Sequence, residues 1–254
     1  MPTPTTAGRL AAAAAAVLAL LAPAAAQAQT CQAKSPERQA LLVELYTSEG
    51  CNSCPPADRW LSSLQGKPGV ITAAFHVDYW DRLGWADRFA SPQHTQRQTE
   101  QQRTAGAGFS YTPQVLANGR DWRGAPNLPL LDGKALVQVD VQRVDANQVG
   151  ISVTAQRGAP ARLALWWALL EDDHVSPVRA GENRGVTLRH DAVVRQYGKL
   201  PAWAAVAAGA GDAAAHSLRI AAPHNAEGGH KARLLVVVTD AATGAPLQAV
   251  QLNC

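Results

Sequence analysis

The sequence predicts an α/β unit over residues 29–136, followed by an antiparallel, β-sandwich-like region over residues 137–254. Three observations carry that expectation. Between residues 41 and 136 short apolar runs alternate with helix-compatible stretches; from residue 137 apolar residues recur with period two; and Gly/Pro turns break the second half at short intervals. Hydrophobic residues make up 47% of the 254 residues and charged ones 17%, which is enough apolar material for a core and too little charge for a disordered chain. The 23 Lys and Arg, against 20 Asp and Glu, are dispersed along the chain. Nucleic-acid binding needs clustered cations, so no nucleic-acid partner is expected.

Residues 1–28 stand apart. Arg9 is their only charged side chain, residues 10–21 are an unbroken apolar run, and Ala26-Gln27-Ala28 is a small-x-small cleavage pattern. Together these are the marks of a secretory signal peptide. Pro23 cuts the run short of the roughly 20 apolar residues that a membrane span needs. A periplasmic or secreted protein follows, cleaved near Ala28 and without membrane contact afterwards. Export puts all four cysteines in an oxidising compartment, where disulfides persist. Cys51 and Cys54 form a local pair. Cys31 and Cys254 remain at the two ends of the mature chain, where a structural disulfide would join them; the alternative has one of these two resolving the other pair.

Taken in order, residues 41–46 read as a mostly apolar strand. Residues 56–64 read as a helix with Trp60, Leu61 and Leu64 on one face, and residues 66–69 as a turn. Residues 70–75 make a second strand, 92–104 a polar helix and 114–117 a third strand. Asn118-Gly119 is a hairpin turn signal, with 120–123 as the return strand, and 127–136 close the unit as a helix. Strand–helix–strand succession implies a parallel pair with a right-handed crossover. In the second half, residues 137–142, 149–155, 163–170, 186–195, 217–221, 233–239 and 247–252 are strand candidates, separated by Gly- and Pro-containing turns.

Cys51-Asn52-Ser53-Cys54 falls between the first strand and the first helix, the context in which C-x-x-C reads as a thioredoxin-like redox motif. A thiolate is the nucleophile of disulfide exchange, and helix N-terminal N–H groups stabilise it. Two-residue spacing lets a second thiol resolve the mixed disulfide. Cys51 is therefore assigned as the attacking thiol and Cys54 as the resolving one. Tyr111-Thr112-Pro113, just before the third strand, resembles the cis-proline loop of thioredoxin-like proteins, which lays backbone beside the disulfide. Pro55 and Pro56 modify the picture: the residue before a proline avoids helical angles, so Cys54 is expected extended or at the cap, with weaker activation of Cys51.

The runs Val43–Asp58, Phe75–Asp81 and Tyr111–Gln114, with Arg97-Gln98 and Glu182–Gly185, resemble the secreted bacterial family called domain of unknown function 1223, over essentially the whole mature chain. The resemblance implies a thioredoxin-like region plus a β-rich remainder, and no assigned reaction.

Supporting roles follow from position. Glu44, on an apolar strand seven residues before Cys51, is either a buried proton acceptor for the resolving thiol or a salt-bridged strand residue. Glu49 is expected exposed in its loop, and Arg97 on a solvated face, with Gln98 and Gln114 near the cleft. His76, Asp78 and Trp80 alternate from the end of the second strand and point to one side. With Tyr79, Trp85, Tyr111 and Thr112 they form a candidate substrate wall, His76 or Asp78 handling protons. Glu182, Asn183, Arg184, His190 and Arg195 read as an interdomain salt-bridge network. The leading function is thiol–disulfide oxidoreduction on protein or peptide thiols and disulfides, with no cofactor and no resident metal. The alternatives are a non-catalytic binding module with a structural Cys51–Cys54 disulfide, and a periplasmic copper or zinc carrier using Cys51, Cys54, His76 and a further histidine such as His94. Exchange requires Pro113 beside the pair and sulfurs that a partner can reach; sulfurs sealed beneath packed side chains overturn it.

Overall fold

The structure, a computed structural model, describes residues 1–2, 31–129, 133–205, 215–222 and 227–254. The strands β1 (Gln32–Lys34), β2 (Leu41–Thr47), β3 (Val70–His76), β4 (Gln114–Ala117) and β5 (Arg120–Asp121) are interleaved with the helices α1 (Pro55–Ser62) and α2 (Pro92–Ala105). The strands β6 (Val137–Arg143), β7 (Gln148–Ala155), β8 (Arg162–Glu171), β9 (His174–Pro177), β10 (Thr187–His190), β11 (Val193–Ala204), β12 (His216–Ala221), β13 (Ala232–Asp240) and β14 (Pro246–Leu252) follow. The leader expected over residues 1–28 lies, beyond its first two residues, outside the described residues.

Local chemistry sets several boundaries. Pro55 and Pro56 occupy the first turn of α1, where an N–H has no helical acceptor to lose. Ser91 caps α2 by accepting from the Gln93 N–H, Pro92 follows it, and left-handed Gly106 ends the helix. Asn118 and Gly119 both take positive φ, 45° and 76°, which is the tight hairpin that the Asn-Gly pair favours. The closing helix expected over 127–136 does not form among the described residues of that span; Lys134 instead bridges Arg38, and residues 130–132 lie outside the description.

An α/β thioredoxin-like fold followed by a sandwich-like β region is not what the chain builds. Only two α-helices occur among the described residues, and strands from both halves join one eight-stranded sheet, ordered β14-β13-β8-β11-β3-β2-β4-β5. The link is β11, which pairs in parallel with β3 on one side, Val193 opposite Ala74, and antiparallel with β8 on the other. The physical reason lies in β8 and β13. Their burial runs through both faces over long stretches, Leu165 with Trp166, Ala168 to Glu171, and Leu234 to Thr239. A sandwich strand with one wet face alternates; strands buried on both faces belong in the middle of a covered sheet.

Two layers cover that sheet. The four-stranded sheet β1-β6-β7-β12 packs over its β8, β13 and β14 part, with Val139, Val141, Ile151, Leu163, Val236 and Val250 in the shared core. The disulfide Cys31–Cys254 ties β1 to the chain end across a sequence separation of 223. Around β2 and β3 the two faces differ. Val43, Leu45 and Ala74 face α1 through Leu61 and Leu64, whereas Leu42, Tyr46 and Phe75 face the opposite way, where α2 brings Ala105 into the same cluster.

Candidate functional site

The chain leaves β2 at Thr47, loops through Ser48–Gly50 and enters α1 after Cys51–Cys54. These two cysteines form a disulfide, with Cα atoms 5.4 Å apart. Cys54 is the N-cap of α1 at φ −77° and ψ −37°. Of the two placements expected before Pro55, extended or at the cap, the cap is the one adopted, with helical angles, because the Cys54 carbonyl accepts the N–H groups of Ala57 (2.9 Å) and Asp58 (3.1 Å) and holds the residue in the helical turn.

Neither cysteine is accessible: both are 0% exposed. The turn before β10 lies against their loop. Asn183 donates to the main-chain carbonyls of Glu49 (2.8 Å) and Cys51 (3.0 Å), and the Asn52 N–H donates to a carboxylate oxygen of Glu182 (3.2 Å). Glu182 and Asn183, expected in an interdomain salt-bridge network, instead hold the disulfide loop. His190 pairs with Glu49 and Arg195 with Glu171.

Beneath the disulfide loop, on the α1 face, lies a buried group of ionisable side chains: Glu49, Asp58, His76, Asp87 and His190. His76 Nδ1 is 2.6 Å from Asp87 Oδ2, and His190 Nε2 is 3.4 Å from Glu49 Oε1. Trp85 donates to Glu49 (2.7 Å), Thr47 to Asp58 (3.1 Å), and the Glu49 N–H to Asp87 (2.8 Å). Burial works against the charge on His76, but Asp87 outweighs it and raises the imidazole pKa. Burial likewise opposes the Asp87 carboxylate, and His76 pulls its pKa below the ordinary value. Glu49 follows the same logic: burial raises its pKa, and bonds from His190, Ser176 and Trp85 bring it below normal. Asp58 differs, since burial prevails over His190 and His76 and its pKa is raised. The exposure expected for Glu49 is contradicted, because its carboxylate is drawn inward by Trp85 and His190.

The other site candidates divide by face. Glu44 lies on the side of β2 away from α1, in an ion pair with Arg97 of α2. Alternation along a strand sends residues 43 and 45 toward α1 and residue 44 to the opposite side, so Glu44 does not serve the resolving thiol. Arg97, expected on a solvated face, is the largest fully buried side chain among the described residues; it sits among the rings of Phe75, Trp166, Tyr197 and Tyr46. His76 is buried and committed to Asp87. Asp78 is held by the Thr95 hydroxyl of α2. Trp80 donates to the Thr112 hydroxyl (2.8 Å), Tyr111 to Asp121 (2.8 Å), and Gln98 to Gln114 (2.9 Å). The Thr112–Pro113 bond is cis. Pro113 precedes Gln114, which pairs with Tyr46 at the end of β2 that leads to Cys51. Trp80 connects the two loops: a Cβ on Gly50 would lie 3.0 Å from the Trp80 Cβ, so a larger residue there requires the Trp80 segment to give by a few tenths of an ångström.

Sequence reasoning passed over Asp58 and Asp87. Asp58 had a signal, since it follows Cys54 by one helical turn and so shares its face. Asp87 lies in an irregular loop and had none. The carrier alternative also fails on geometry. His94 bonds the His76 carbonyl through Nδ1 (3.0 Å) and packs on Phe75, on the α2 face, while the His76 ring faces α1. Among the described residues no group of three or more His, Cys, Asp and Glu side chains is arranged to hold a metal.

Residues 42–239, well over half of the chain, match the family model described as protein of unknown function (DUF1223), and the chain belongs to that family. No curated protein matches. Two solved structures are similar. A crystal structure of an Agrobacterium tumefaciens protein has a TM-score of 0.63 at 24% identity, covering 86% of this chain and 96% of that one. HBP35 of Porphyromonas gingivalis has a TM-score of 0.59 at 16% identity, covering 86% and 76%. At these identities the likeness is one of fold.

Proposed function

We propose that this DUF1223 protein is an exported, non-catalytic binding module in which Cys51–Cys54 is a structural disulfide. The observation that carries this reading is the complete burial of both cysteines, with the Asn183 turn hydrogen-bonded to their loop. Exchange begins with in-line attack on a sulfur, so a partner thiolate must reach the bond. Closed as it is, the pair offers no such approach, and the condition set by the sequence for an open exchange site is not met. Export rests on the apolar leader residues and the small-x-small pattern, and fits a chain in which all four cysteines are disulfide-bonded.

One observation favours a second reading, thiol–disulfide exchange with protein or peptide partners after the Asn183 turn swings away. Five ionisable side chains are buried under the disulfide loop. Burying charge is expensive, and clusters of perturbed groups gather at working sites more often than at structural ones. Asp58, one helical turn after Cys54 and with its carboxyl pKa raised by burial, would be the group to exchange a proton with a departing thiolate. The reduction potential of Cys51–Cys54, with turnover of a model disulfide compared with Cys51→Ser, separates the two. A potential below about −300 mV and no turnover fit a structural bond.

A further inference from the structure

The residues that drop out of the disulfide chemistry, Glu44 and Arg97, belong to a different place. On the far face of the sheet α2, β8, β11 and the turn after β13 enclose a cleft of about 240 Å³. We propose that this cleft is a binding site for a small monocarboxylate with an apolar body, its oxygens accepting from Trp166 Nε1 and Lys199 Nζ. The site lies across the sheet from Cys51–Cys54 and holds whichever role that disulfide has.

Two donor-only groups carry the inference. Trp166, 5% exposed, lines the cleft, and its Nε1 is buried with no hydrogen-bond partner among the described residues. Arg97 also lines it. One edge of its guanidinium is taken by Glu44 and Tyr46, while its buried Nε has no partner among the described residues. A buried donor left unpaired is unfavourable by the desolvation of that group, and neither an indole N–H nor a guanidinium N–H can be satisfied except by an acceptor. A ligand for this cleft must therefore bring oxygen acceptors.

The charges decide which acceptor. Arg97 is matched by Glu44, and Lys199 by Glu100, while Asp240 adds a further carboxylate to the lining. A dianion such as phosphate would meet too many carboxylates. A single carboxylate has one partner to take over: Lys199 and Glu100 are each about half exposed, and ion pairs in that setting contribute little, so Lys199 is readily transferred from Glu100 to a ligand. The remaining walls are Ala164, the Trp166 indole and the Tyr197 ring, which suit an apolar body; the Leu165 and Leu200 side chains pack on the opposite face of the sheet. The volume equals that of about eight liquid waters, room for a molecule of roughly ten heavy atoms and less than a drug-sized ligand occupies.

The test uses the whole folded protein with both disulfides intact and benzoate as the probe, with benzamide as its neutral counterpart. The indole N–H resonances are followed by two-dimensional NMR, and Trp166→Phe identifies the Trp166 signal. The expected result is a saturable shift of that signal with benzoate and binding weaker by roughly tenfold or more in Trp166→Phe, the loss expected for one hydrogen bond to a charged acceptor. Lys199→Met, at a side chain half in solvent, keeps the indole and weakens benzoate while leaving benzamide unchanged. No saturable shift, affinity for benzoate undiminished in both variants, or benzamide binding as tightly as benzoate would overturn the proposal.

Discussion

Asn183 donates to the main-chain carbonyls of Glu49 and Cys51 at 2.8 and 3.0 Å, so one side chain spans the loop that carries the disulfide. Each neutral hydrogen bond of this kind contributes about 1 kcal/mol net. Asn183→Ala should therefore let the turn open more often and speed reduction of Cys51–Cys54 by dithiothreitol by roughly tenfold or more. Alkylation of the freed thiols, read by peptide mass spectrometry, measures it. An unchanged rate would mean that the turn is not the cover.

Arg97 and Glu44 form a buried pair across α2 and β2. Removing one member leaves the other charge unmatched, so Arg97→Met should lower the unfolding free energy by about 3–5 kcal/mol. Combining it with Glu44→Leu should restore much of that loss, because two apolar side chains leave no stranded charge. Urea denaturation of the single and double variants checks both statements. Additive losses would contradict the pairing.

His94 gives the protein a measurable acid limb. Burial, opposed by its bond to the His76 carbonyl, lowers its pKa from 6.5 to about 4. The unfolded chain then binds a proton that the folded chain refuses between those values. Its contribution is intact above about pH 6.5 and is lost as the pH falls toward 4, up to about 3 kcal/mol in all. His76 runs the other way, since its raised pKa stabilises below about pH 6.5 and fades as the pH rises. The difference between wild type and His94→Gln isolates the His94 part: the variant should lose less stability from pH 7 to pH 4.5. Equal losses would contradict the burial of an uncharged imidazole.

Cys254→Ser should lower the denaturation midpoint substantially. The bond to Cys31 closes a loop with a sequence separation of 223, and the chain-entropy estimate for so long a loop is about 5 kcal/mol. The unfolding free energy in urea, with Cys51–Cys54 left oxidised, reads the change; a loss under about 1 kcal/mol would show that the termini are held by β1–β6 pairing and packing instead.

How much of this was legible in the sequence depends on the range of the interaction. Asn118-Gly119, Ser91-Pro92 and the period-two runs write turns, caps and strands into a few neighbouring residues, and most of those elements lie within a few residues of where the sequence puts them; an exception is 186–195, expected as one strand and built as two, β10 and a β11 that runs on to Ala204. The sheet order is another matter. That β11 pairs with β3 depends on a contact between Val193 and Ala74, which no local pattern encodes. The longest apolar runs, β8 and β13, held the clue, because they were too apolar on both faces for a one-sided sandwich. At the candidate site Cys51, Cys54 and Thr112-Pro113 were visible as motifs. The partners of Glu44 and Glu49 were not: a carboxylate flanked by apolar residues signals burial, yet whether Arg97 or a thiol faces it depends on which face of the sheet its strand presents. Asn183 lies in a run that resembles the family, and its bonds to the Glu49 and Cys51 carbonyls form only when the turn before β10 folds against the disulfide loop.

The most direct test of a structural Cys51–Cys54 bond is its reduction potential, titrated in glutathione and dithiothreitol buffers on the intact protein, together with turnover of a model disulfide against Cys51→Ser. A potential below about −300 mV, with turnover equal to that of Cys51→Ser, is the expected result. A potential between about −120 and −270 mV, in the range of exchange catalysts, with turnover lost in Cys51→Ser, would contradict it and establish the second reading in its place.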